Sequence, residues 1–125
     1  MGAASEIKNS ILFKGAKAPH HNYVGDSIIG NKCNLGSGTK IANLRLDKKE
    51  IIVTHRGERI DTSRRKLGVI MGDNVSTGIN SSINSGTIIG SDVKIGPNAL
   101  VSGTFESKSS VSYTHLTLPT KKRGG

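Results

Sequence analysis

The sequence predicts an all-β chain wound as a parallel β-helix, with one projecting loop or hairpin. Three observations carry that expectation. Inward-type residues recur every six positions: from Met71 the series runs Thr77, Ile83, Ile89, Ile95 and Val101. A small or branched residue stands four places after most of them, at Val75, Ser81, Thr87, Val93 and Ala99, and the series extends to Phe105. Glycine is abundant, at 16 of 125 residues, while aromatics are 3% and Trp is absent. That mixture suits short strands separated by tight bends and excludes an aromatic-centred core or a helical bundle. A six-residue repeat closes into a triangular coil of about 18 residues, whose flat faces pair in parallel with the coils above and below.

Residues 1–10 are the least regular, and Ile7 is the inward residue of a partial coil. Leu12, Ala18 and Val24 then step by six, with Ala16 and Asn22 inside. The step shortens by one before Ile29, and Ile29, Leu35 and Ile41 continue it, with Gly30 and Gly36 next to the first two and Cys33 and Thr39 at the fourth place. In each unit the larger residue points inward and stacks on its copy one coil away, while the smaller one fills a corner. Glycine follows the inward residue at Gly72, Gly78, Gly90 and Gly96. The chain is expected to begin inside the solenoid, without a capping helix.

Residues 44–70 leave the repeat. Ile51, Ile52 and Val53 predict a strand, His55-Arg56-Gly57-Glu58 a turn, and Ile60 the return strand. Long loops in compact domains are commonly functional. Six clean units are expected from Met71 to Glu106. From residue 111 the pattern stops, and 111–125 reads as a non-native or disordered tail, a translated cloning scar, with a native basic tail as the alternative. The predicted domain is therefore 1–110, incomplete at its C-terminal end, with an insertion at about 44–70.

One cysteine cannot form an internal disulfide, and no apolar run reaches the length of a membrane span. No signal peptide is visible, so a cytoplasmic location is expected and a membrane partner is not. The net charge is +9, of which Lys121, Lys122 and Arg123 supply three. A basic excess suits nucleic acid or small anions. The near absence of aromatics for base stacking favours small anions over nucleic acid.

The repeat alone gives no function, because scaffolds of this kind serve many chemistries. The informative residues are those the repeat does not require. His20, in Lys17-Ala18-Pro19-His20-His21-Asn22-Tyr23, has the near-neutral pKa that suits a base in acyl transfer, and it reads equally as an exposed turn histidine. Tyr23 reads as a site residue or a coil-edge aromatic, Asn34 as a site residue or a turn stabiliser, Lys8 as an anion ligand or a solvated charge. Asn43 ends a strand, where asparagine is favoured in any case. Cys33 occupies a small inward position and reads as packing. His20, His21, His55 and His115 show no ligand spacing, so no metal is expected.

The period resembles the hexapeptide-repeat family, which implies a left-handed coil. The string Lys17 to Gly30, followed by Asn34-Leu35-Gly36-Ser37-Gly38-Thr39 and Asn43, resembles more narrowly the acetyltransferase domain of bifunctional glucosamine-1-phosphate acetyltransferase/N-acetylglucosamine-1-phosphate uridylyltransferases, in particular the archaeal sugar-1-phosphate nucleotidylyltransferase/amino-sugar acetyltransferase branch. The resemblance runs from about Glu6 to about Leu100. It implies acetyl transfer from acetyl-CoA to the amine of an amino-sugar 1-phosphate, in the synthesis of UDP-N-acetylglucosamine. By position it implies His20 as catalytic base, Lys8, Tyr23, Asn34, Asn43 and Lys49 around the sugar phosphate, and a homotrimer with shared sites. Coenzyme A is expected at Arg64, Arg65 and Lys66 and along the corners at Gly78, Gly90 and Gly96. His21 is set aside by the family spacing. The glycine-rich loop of a nucleotidyltransferase domain is absent from this sequence. The rivals are a purely structural trimerisation domain and a hexapeptide acyltransferase with another acceptor.

Overall fold

A computed structural model describes residues 4–111. Among these the regular structure is entirely β. Three parallel sheets form the faces of a triangular coil. Face one stacks Glu6–Lys8, Tyr23–Gly25, Lys40–Ile41, Ser82–Ile83 and Leu100–Val101. Face two stacks Ile11–Leu12, Ile28–Ile29, Val69–Met71, Thr87–Ile89 and Thr104–Phe105. Face three stacks Asn34–Leu35, Ser76–Thr77, Lys94–Ile95 and Ser110–Val111, with Lys17 bridging to Asn34 beneath them.

Register follows the repeat. Ile41 lies opposite Ile83, which lies opposite Val101; Ile29 lies opposite Met71, which lies opposite Ile89. Identical or similar branched side chains therefore fill the interior in ladders, and Val24, Ile29, Leu35, Ile41, Ile83 and Ile89 are essentially inaccessible. Burying each contributes roughly 1.5–3 kcal/mol. The corner between faces three and one is filled by Asn22, Thr39, Ser81 and Ala99, all buried. The corner between faces two and three takes Cys33, Val75 and Val93.

The glycines after the inward residues have a different reason from the expected one. The amides of Gly78, Gly90 and Gly96 donate to the carbonyls of Ile95, Phe105 and Val111 one coil away. They are therefore spent within the coil rather than turned toward a ligand. What these positions require is closeness: a Cβ on Gly78 would stand 2.5 Å from the backbone nitrogen of Pro97.

Two boundary expectations are corrected. Phe105 is not a corner residue four places after Val101. It is the inward residue of face two, opposite Ile89, and Val111 follows it opposite Ile95. A phenyl ring is too large for a corner, and Gly103, at φ +97, turns the chain early enough to put the ring on the face. The coil thus includes Val111, where the sequence pattern was expected to have stopped. Residues 112–125, the rest of the predicted tail, lie outside the described residues. The repeat also resumes at Val69, which is fully buried, two residues before Met71.

The corner from face one to face two carries all the irregular spacings. Ile7 to Leu12 and Val24 to Ile29 are steps of five, Ile41 to Met71 of thirty, Ile83 to Ile89 of six and Val101 to Phe105 of four. Between inward residues, the other two corners keep the step of six throughout. The long step holds the insertion, whose strands Ile52–His55 and Glu58–Asp61 pair antiparallel. Arg56 and Gly57, both at positive φ, make the two-residue turn whose twist suits a hairpin. The hairpin is seated by Ile51 and Val53, both buried. Gly86, at φ +77, leaves room for Ile51: a Cβ there would be 2.7 Å from its Cγ2.

Candidate active site

The polar residues singled out in the sequence gather mainly around face one and the corner where it ends. Tyr23 points outward on one side of inward Val24, and Gly25, on the other, lies buried under Asn43 and Tyr23. Asn43 follows the next strand of the same face. Its side-chain amide donates to Asp26 Oδ2 at 2.7 Å and to Tyr23 Oη at 3.3 Å. Asn9, one coil below, donates to Asp26 Oδ1 at 2.7 Å. Gly25 makes this closure possible, since a Cβ on it would stand 2.6 Å from Asn43 Nδ2 and 2.8 Å from Tyr23 Oη.

Lys8 lies at the edge of this cluster, paired in register with Gly25, and its carbonyl accepts from Asp26 N–H. Arg64 and Lys66 arrive from the returning arm of the insertion, close enough for their charges to act on Asp26. Partial burial raises the Asp26 carboxyl, but the hydrogen bonds from Asn9 and Asn43 together with Lys66 and Arg64 prevail and hold it below its ordinary value of 3.8. The corner therefore presents one ionised carboxylate, bonded by two amides and facing the charges of Arg64 and Lys66, with Lys8 in the neighbouring strand.

His20 stands at the other end of face one, on the corner through which the chain enters it. Its imidazole is exposed, but its backbone is fixed from both sides. His20 N–H donates to Oδ1 of buried Asn22 at 3.1 Å, and its carbonyl accepts from Gly38 N–H at 3.1 Å. Asn22 in turn donates to the Gly36 carbonyl at 2.8 Å. His21, next in the chain, adopts φ +52, and the Lys40 ammonium donates to its carbonyl. A hollow of about 330 Å³ lies over face one, lined by Tyr23, Lys40, Ala42, Ser82, Asn84 and Leu100.

Other expected site residues fall elsewhere in the single chain. Asn34 is exposed on face three, bridged to Lys17 and opposite Ser76. Lys49 and Arg65 line a hollow of about 650 Å³ with Arg45, Asp47, Lys48 and Asp61. A larger groove, of about 790 Å³, is lined by Ala42, Leu44, Arg45, Ile52, Arg59, Asn84 and other residues of the insertion and face one. Cys33 is buried, donates its S–H to the Gly72 carbonyl at 3.0 Å, and burial pushes its thiol above the ordinary 9.0, which suits packing rather than nucleophilic work. Sequence reasoning missed Asp26 and Asn9 as site residues and Asn22 as an anchor. The only signal for Asn22 is its amide side chain at a corner position that elsewhere holds the smaller Thr39, Ser81 or Ala99.

The ladders keep a six-residue register, and residues 68–103 match the model of the bacterial transferase hexapeptide (six repeats). More particularly, the chain is 49% identical over 123 residues to the bifunctional protein GlmU of Methanococcus maripaludis, across 98% of this chain and 30% of that protein. It is 50% identical over 101 residues to the bifunctional sugar-1-phosphate nucleotidylyltransferase/acetyltransferase of Sulfurisphaera tokodaii, across 81% of this chain and 25% of that protein. Serine acetyltransferase isoform 3 of Entamoeba histolytica shares the fold, with a TM-score of 0.53 and 19% identity over 89% of this chain and 38% of that one. The chain spans less than a third of the length of these curated relatives.

Proposed function

We propose that this chain is the acetyl-transfer part of a longer bifunctional enzyme, and that it moves acetyl from acetyl-CoA to the amine of an amino-sugar 1-phosphate, glucosamine-1-phosphate first among them. The observation that carries this reading is the hydrogen-bonded set Tyr23–Asn43–Asp26 flanked by Arg64 and Lys66, with Lys8 paired to Gly25 on the adjacent strand. Neutral polar atoms beside a cluster of cations suit a ligand with hydroxyl or amine groups at one end and a phosphate dianion at the other. The relatives named above, one called a nucleotidylyltransferase/acetyltransferase, support the same chemistry.

In this reading His20 accepts the proton released as the amine nitrogen attacks the thioester carbonyl. The new C–N bond forms, the C–S bond breaks, and the coenzyme leaves as the thiol after receiving a proton. Tyr23 and Asn43 hold the sugar, joined by Asn34 from face three and Lys49 from the insertion, and Lys8 holds the phosphate. Arg64, Arg65 and Lys66 bind the coenzyme phosphates, with Arg64 and Lys66, beside Asp26, shared with the sugar phosphate, and the pantetheine arm follows the corners near Gly78 and Gly96. Because Asn34 and Tyr23 lie on different faces, the full set requires neighbouring copies, and a homotrimer is the assembly proposed. The outward isoleucines of face two, Ile11, Ile28 and Ile70, are 56%, 41% and 37% exposed in the single chain and supply an apolar surface for it. The product serves UDP-N-acetylglucosamine synthesis, in the cytoplasm.

The test is thiol release from acetyl-CoA in the presence of glucosamine-1-phosphate. His20→Ala should lower the rate about 10²–10⁴-fold. Full activity in that variant sinks the assignment of the base, and turnover of unphosphorylated amino sugars alone moves the acceptor to another class.

A further inference from the structure

We propose that Asp26 is a positioning residue of the acceptor pocket, using both carboxylate oxygens to orient the side-chain amides of Asn9 and Asn43 and so deciding which polar atoms they offer a ligand. The inference rests on the acceptor reading above only for the identity of the ligand; the orientation itself is a property of the chain alone.

An ionised carboxylate accepts hydrogen bonds and donates none. The groups facing it at 2.7 Å must therefore be the NH₂ ends of Asn9 and Asn43, not their oxygens. Asn43 has two amide hydrogens. One goes to Asp26 Oδ2 and the other to Tyr23 Oη. Its donors are then spent, and its carbonyl oxygen is the atom left for a ligand. Tyr23 Oη, already accepting from Asn43, keeps its own proton to give away. Asn9, with one donor on Asp26 Oδ1, is likewise turned so that its oxygen lies on the other side. The cluster so ordered offers acceptors from the two asparagines and a donor from Tyr23. Acceptor oxygens select ligand O–H and N–H groups and repel phosphate oxygens, which are left to Lys8, Arg64 and Lys66. One carboxylate thereby sets the polarity of the sugar end and separates it from the phosphate end.

Backbone geometry makes a clean test available. Asp26 adopts φ +51, a conformation that asparagine tolerates as well as aspartate does. Asp26→Asn keeps size and backbone but replaces two acceptors by one acceptor and one donor, so one of the two asparagines must turn over or lose its bond. In the ¹⁵N-labelled chain without ligand, the side-chain amide signals of Asn9 and Asn43 are expected to be downfield and protected from exchange. At least one of the two should revert to a solvent-like position in Asp26→Asn, with the melting temperature recorded alongside. The KM for glucosamine-1-phosphate should rise about 10- to 100-fold, the range of one charge-assisted hydrogen bond. The KM for acetyl-CoA should hold. The exchange variant, Asp26→Asn with Asn43→Asp, restores a carboxylate–amide pair across the same gap and should recover part of the acceptor KM. Unchanged amide signals in Asp26→Asn overturn the proposal, whatever the enzyme does. Responsive signals in a chain that never acetylates glucosamine-1-phosphate leave the positioning standing and remove the acceptor reading instead. A general loss of all chemical-shift dispersion, repeated in the exchange variant, makes Asp26 a folding residue and also overturns it.

Discussion

Asn22 holds His20 by its backbone: the Oδ1 of the buried amide accepts the histidine N–H at 3.1 Å, while its Nδ2 donates to Gly36 one coil away. A residue from the interior thus fixes the position of an exposed one. The imidazole stays free to rotate about its own bonds while its Cα is tied to the coil.

Replacing Asn22 by Ala should therefore affect both stability and rate. It leaves the His20 N–H without its partner, while the Gly36 carbonyl loses one of three donors and keeps Thr39, at a cost of about 1–3 kcal/mol. The melting temperature should fall, and thiol release should slow further than that fall explains at temperatures where the variant is fully folded. A folded variant with unaltered turnover would separate His20 from this anchor.

The two adjacent histidines should behave differently. His21 adopts φ +52, where glycine is at ease and a side chain is strained. His21→Gly is expected to keep activity within a few-fold and to hold or slightly raise stability, whereas His20→Ala loses activity. Equal losses in both would point to the corner as a whole and not to one imidazole.

Gly25→Ala introduces a Cβ 2.6 Å from Asn43 Nδ2 and 2.8 Å from Tyr23 Oη. Both are ends of side chains, so the coil can survive while the polar set opens. The expected result is a raised acceptor KM with a small change in melting temperature. A large drop in melting temperature with an unchanged KM would show that the glycine serves the backbone instead.

Acid should weaken the fold through Asp26. Its carboxyl is held below the ordinary 3.8 in the folded chain, so its contribution is fully present above that value and is lost as pH falls through the lowered one. Asp26→Asn should lower the melting temperature in the neutral region and flatten the acid limb, so that the two profiles converge as pH falls. An offset from the parent that stays constant as pH falls below ~4 would contradict the assignment.

The coil is legible in the sequence because each inward position repeats one steric demand, and the ladders of Ile29, Met71 and Ile89 answer it residue by residue. The hairpin is legible from Arg56-Gly57 between β-branched runs. Phe105 misleads because counting by six cannot sense a corner that Gly103 shortens. Tyr23 and Asn43 are recognisable only by resemblance, and the hydrogen bond that links them spans 20 residues that no periodicity relates. Asp26 escapes notice because a turn aspartate is ordinary; what distinguishes it is the pair of amides that converge on it from the coils on either side.

Among the described residues all the irregular steps fall on one corner, where face one passes to face two. That edge behaves as a seam. A chain segment can be lengthened or shortened there without shifting any ladder out of register, as the steps of four, five, six and thirty already do. The other two edges, locked to a constant step, have no such freedom. A designer wishing to graft a foreign loop onto this coil, or natural variation seeking a new specificity, has a single line along which to cut.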